Sequence, residues 1–157
     1  LESIPADIPL CITIRDKLFP VFYNCLLRFP EQNDDVKNVY IESILLGYSA
    51  IIDASANDVK FLKANKTQIF KINEFVDKLN DSLSDNVLFA YCDFVKSAIK
   101  VMQKDPILRI SLRNKGILKN LVYAECSSNI NLKRTASDLI QFLSNKWNLF
   151  KLFLVYA

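Results

Sequence analysis

Histidine is the side chain best suited to acid–base and nucleophile chemistry near neutral pH, and this chain of 157 residues has none. That removes serine–histidine and cysteine–histidine nucleophile pairs and every histidine-based metal site. The four cysteines, Cys11, Cys25, Cys92 and Cys126, form no Cys-x-x-Cys pair and sit among apolar neighbours. They read as free, buried thiols of an intracellular protein, cytoplasmic or nuclear. The even count and two sequons, Asn65-Lys66-Thr67 and Asn80-Asp81-Ser82, keep disulfides as the alternative. Asp34-Asp35 reads as a helix cap, and Asp77, Asp81 and Asp85 as a solvated helix edge and turn, so no catalytic carboxylate pair emerges. The Asp-x-Asp-x-Asp-Gly calcium pattern is missing. Gly47 and Gly116 stand 69 positions apart and cannot form a phosphate loop. The chain is expected to carry no catalytic residue, metal ligand or cofactor.

Charge is the more informative signal. Residues 1–99 hold 10 basic and 14 acidic side chains, and residues 100–157 hold 10 and 3, so a net −4 end precedes a net +7 end. Arg109 and Arg113 are four apart and share a helical face. With Lys115 and Lys119 they could form a ridge for acidic peptide or phosphate, set against the plainer reading of a solvated helix face. Polar positions off the apolar stripes of the long helices add Lys96, Lys100, Arg134, Asp138, Gln141 and Asn145 as expected partner contacts. The basic residues are not interleaved with exposed-looking aromatics, which disfavours nucleic acid. Phe22, Tyr23, Phe61, Phe70, Phe75, Phe89, Tyr91 and Phe94 fall at helical spacing and read as core.

These side chains need elements to hold them. Hydrophobic residues make up 51% and charged residues 24%, a globular balance for a single domain over 1–157. Two glycines in the whole chain favour helices over hairpins. No apolar run reaches the roughly 18 residues of a membrane span. Breaks and apolar periodicity divide the chain into short, medium and long helices. The sets are 10–19, 20–29 and 34–53; then 58–65, 67–83 and 85–104; then 106–114, 116–127 and 130–147. Expected caps are Asn33 or Asp34, Thr67, Ser84 or Asp85, and Asp105 with Pro106 in the first helical position. Pro20 is expected to end one helix and begin another, and Pro30 to stop the second. Gly47 lies on or next to the 34–53 stripe of Val36, Val39, Tyr40, Ile44, Leu45, Tyr48, Ile51 and Ile52, where either close approach by a neighbouring helix or a local kink would explain it. Residues 1–9 read as an extended leading segment. Residues 148–157 are an apolar extension of the last helix in which Lys151 is the sole charge.

Residues 105–147 resemble an armadillo- or HEAT-type repeat in the Asp105-Pro106 start, the Lys115-Gly116 corner and the long closing helix. The resemblance implies an all-α fold of stacked helical hairpins or triplets. Three such repeats, 10–53, 58–104 and 106–147, would form a right-handed solenoid or a compact helical bundle. The segment Lys115-Gly-Ile-Leu-Lys-Asn-Leu-Val122, with Leu132-Lys-Arg-Thr-Ala-Ser-Asp-Leu-Ile140 and Lys146-Trp147, is also similar to the N-terminal helical domain of transcription elongation factor IIS. That family docks short disordered peptides of transcription proteins. The long third helices of armadillo-type stacks usually line the binding face.

The expected function is therefore non-catalytic: a scaffold that binds a protein or peptide, acidic if the basic ridge receives it, in a domain excised from a larger parent. The alternatives are nucleic-acid or phosphoinositide binding through the basic C-terminal third, and peptide docking of the transcription-elongation type. Self-association through 149–156 is a further expectation.

Overall fold

The structure is a computed structural model that describes residues 8–28 and 33–156, with side chains described over 12–28, 33–79, 81–114 and 116–144. The extended reading of 1–9 fails at Ile8 and Pro9, which are already helical, and its remainder and the stop at Pro30 lie outside these residues. So do the side chains of Cys11, Lys115, Asn145 and the 148–157 extension. The described residues form helices and no strand. In order these are α1 (Ile8–Leu27), α2 (Asp34–Ala54), α3 (Val59–Phe70), α4 (Ile72–Leu79), α5 (Asp85–Met102), α6 (Pro106–Ser111), α7 (Lys115–Glu125) and α8 (Ile130–Tyr156). A 3-10 turn over Asn80–Ser82 leads into α5.

Capping explains most helix starts. The Asn33, Ser84 and Asp105 side chains accept from the third backbone N–H beyond them, at Val36, Val87 and Leu108. Asp58 does the same for α3, accepting from Phe61 N at 3.2 Å. Pro106 then occupies the first position of α6, where a missing N–H costs nothing.

Two joints differ from the sequence expectation. Pro20 lies inside α1 and does not divide it. Pro20 and Asp16 are both exposed, so the Asp16 carbonyl that loses its helical donor can turn to water. Thr67 lies inside α3 rather than at a helix start. That helix runs on to Phe70, and the break falls at Lys71, whose N–H donates to Thr67 O.

Packing follows one order. The most extensive contact joins α2 to α5; α1 lies on α2, and α8 lies on α5 and α7. α3 also touches α6, and α4 touches α7. α5 buries Val87, Leu88, Tyr91, Phe94, Val95, Ala98, Ile99 and Met102 over a wide face and leaves a narrow polar strip, Asn86, Asp93, Lys96 and Lys100, exposed. In α2 the core face is Ile41, Ile44, Leu45, Tyr48, Ile51 and Ile52. Val36 and Val39, expected in that stripe, are exposed. At 3.6 residues per turn Val39 falls on the far side of the helix from Ile41 and Tyr48, so burying that pair turns the valine outward.

The aromatic expectation fits better. Phe70, Phe75, Tyr91 and Phe94 are buried, and Phe22, Tyr23, Phe61 and Phe89 are half-buried. The Phe19 ring centre lies 5.7 Å from that of Tyr48, and Phe19 meets Phe61 edge-on at 5.6 Å.

Gly47 is a point of close approach between α1 and α2. A Cβ there would stand 2.6 Å from Phe22 Cζ, so the ring needs the bare backbone. Buried polar groups fix the packing elsewhere. Arg15, 4% exposed, pairs with Asp58 at 2.9 Å and Asp16 at 2.8 Å, donates to Ser55 Oγ, and lies 3.8 Å over the Phe61 ring. Asn38 donates to the carbonyls of Asp34 and Ser82 and accepts from Ser84 N, tying α2 to the start of α5. Cys25, Cys92 and Cys126 are free thiols; Cys92 is buried, whereas Cys126, at the end of α7, is exposed rather than buried as expected.

Candidate partner-binding surface

The contact between α3 and α6 opens a cleft of about 420 Å³ on the protein surface. Lys66, Lys71 and Arg113 bring positive charge to it, with Glu74 as the opposing carboxylate, 3.6 Å from Lys71 Nζ. Thr67, Ser111 and Asn114 add groups that can hydrogen-bond, and Phe70 and Ile110 add an apolar wall. Ile110 is 59% exposed.

Local structure holds these groups in place. Asp105 caps α6 and pairs with Lys63 of α3 at 3.2 Å, which anchors the two walls to each other. Asn114 closes the corner before α7 by accepting from Gly116 N at 2.8 Å. A Cβ on Gly116 would come within 3.2 Å of Asn73 Cβ, so the glycine lets α7 sit close against α4.

The sequence-predicted site residues divide between several surfaces. Arg113 lines the cleft. Arg109 turns back, its Nε donating to Gln103 O at 2.7 Å. Lys119 crosses to α4 and pairs with Asp77 at 3.0 Å. Arg109 and Lys119 are therefore engaged with the protein's own groups, and the Lys115 side chain lies outside the described residues. Lys96 and Lys100 are exposed one turn apart on α5. Arg134, Asp138 and Gln141 are exposed at successive turns of α8, which contacts α5. The Asn145 side chain lies outside the described residues. Lys66 and Lys71 were missed, because what joins them to Arg113 is the contact of α3 with α6, which are far apart along the chain.

Each shifted titration has a structural cause. The Tyr123 hydroxyl and then the Lys119 ammonium bond to Asp77 and hold its pKa below the usual carboxylate range. Burial pushes Asp58 upward, but Arg15 and the Phe61 N–H together outweigh it and leave it low. Asp105 is lowered chiefly by the Leu108 N–H. Burial pushes the Cys92 thiol up to about 11, the reverse of what a nucleophilic thiolate needs. No cluster of three or more cysteine, aspartate or glutamate side chains placed to hold a metal occurs among the described residues. No helix among them is long and apolar enough to cross a membrane.

No family model, curated protein or solved structure matches the chain.

Proposed function

We propose that this chain is a non-catalytic interaction domain whose α3–α6 cleft receives an acidic segment of a protein or peptide partner. The observation that carries the reading is the convergence of Lys66, Lys71 and Arg113 beside exposed Ile110. Cations paired with an apolar wall suit a peptide carrying both carboxylates and an aliphatic side chain. Contacts between helices in corresponding positions support an armadillo-like stack as the underlying architecture. The exposed polar positions on α5 and α8 are then a second surface for the same partner. Free Cys25, Cys92 and Cys126 suit a reducing compartment.

The test is fluorescence anisotropy with a labelled peptide of alternating glutamate and leucine, on the full chain and on Lys66→Glu and Arg113→Glu. Each substitution is expected to weaken binding about tenfold, equivalent to roughly 1.4 kcal/mol. Equal affinity for all three proteins rejects the cleft. A single-stranded oligonucleotide or phosphoinositide vesicle that binds more tightly than the peptide, with a steep salt dependence, would instead favour phosphate recognition by the basic C-terminal third.

A further inference from the structure

A broad exposed apolar surface lies at the opposite end of the helix order, along α1 and α2. The residue contacts run antiparallel: Arg15 reaches Ser55, Phe22 sits on Gly47, and Tyr40 Oη donates to Cys25 O. To one side of this pair lies a groove with two lobes that share Phe22, about 510 Å³ and about 290 Å³. Val36, Val39 and Ile44 line the first, and Ile14, Leu18 and Ala50 the second. Val39 is 64% exposed, Leu46 49%, Ile14 46% and Leu18 42%. Val39, Ser43, Leu46 and Ala50 share one face of α2 by helical spacing. From Val36 to Ala54 the face is about 27 Å long at 1.5 Å per residue, enough for another helix.

Charge identifies an occupant. α2 carries Asp34, Asp35, Glu42 and Asp53 against Lys37, a net −3, and α1 adds Arg15 and Lys17 against Asp16, so the two helices of the groove hold a net −2. The C-terminal part of α8, from Lys146 on, carries Lys146 and Lys151 and no acidic side chain, a net +2. The sequence from Lys146 to Tyr156 is apolar and basic: Trp147, Leu149, Phe150, Leu152, Phe153, Leu154, Val155 and Tyr156 with two lysines. α2 and α8 both pack on α5, one from each end of the packing order. We propose that the C-terminal part of α8 from one copy docks in the α1–α2 groove of the next. The two surfaces differ, so the contact is head to tail and can repeat without closing.

Sedimentation velocity of the full chain tests this. The mean mass is expected to rise through dimer and trimer as concentration increases. A groove variant, Val39→Glu with Leu18→Glu, and a tail variant, Phe150→Glu with Phe153→Glu, should each remain monomeric. Mixed together they should form a one-to-one dimer that grows no further, because each supplies the surface the other lacks. A peptide of residues 146–157 should return the unmodified chain to monomer, a check that does not depend on any variant folding. An unmodified chain that is monomeric at every concentration overturns the proposal. So does a groove variant that still dimerises, which would mean tail-to-tail contact, or a mixture that fails to pair.

Discussion

Arg15 is a cation almost shut off from water, and its surroundings explain how it is kept. Two carboxylates, a hydroxyl and the face of Phe61 replace its hydration. Tyr48 shows the opposite balance. It is fully buried, and its hydroxyl has no hydrogen-bond partner among the described residues. Burial raises its pKa accordingly. Tyr48→Phe should therefore raise stability by about 1 kcal/mol, since it removes a desolvated group that gains nothing in return. A urea-unfolding midpoint that falls on this substitution would show that the hydroxyl is bonded after all. Tyr91 looks similar in sequence but donates to Asn73, so the same change there leaves an acceptor stranded. Sequence alone could place both tyrosines in the core; it could not say which hydroxyl had a partner, because Asn73 belongs to a different helix. Arg15 was hidden for the same reason, since its partner Asp58 lies 43 positions away.

Among the helices, legibility followed the range of the deciding interaction. Asn33, Ser84 and Asp105 cap helices by reaching three residues ahead, and all three could be read locally. Pro20 could not. Alone it argues for a break, worth about 3 kcal/mol against a continuous helix. Within the fold α1 buries Arg15, Phe19 and Leu26 along one face, and that packing outweighs the local cost. Gly47 shows local and tertiary preferences opposed. Alanine would gain about 1 kcal/mol of helix propensity but would press a methyl into Phe22. Gly47→Ala should thus destabilise by about 1 kcal/mol alone and stabilise by a similar amount in a Phe22→Leu background. A double-mutant cycle by thermal unfolding measures this; equal effects in both backgrounds would mean that Phe22 does not set the approach.

For the whole molecule, the all-helical class and the uneven charge were visible in the sequence, while the pairing of distant helices was not. Asp77 shows how such pairing responds to pH. It joins α4 to α7 through Lys119 and Tyr123. Its pKa is lowered on folding, so its contribution is complete above the unfolded carboxylate value of about 3.9 and is lost as pH falls through the lower folded value. Asp77→Asn should therefore flatten the loss of stability below about pH 4. Urea-unfolding midpoints across that range would show it, and an unchanged acid slope would assign the loss to other carboxylates.

The place of α5 between α2 and α8 also bears on how the molecule tolerates damage. A frayed edge at α1 or at the end of α8 removes one neighbour from the row and leaves α5 supported from the other side. A fault inside α5 withdraws support from both flanks together. The fold is thus forgiving at its margins and brittle in the middle, along the buried face of α5.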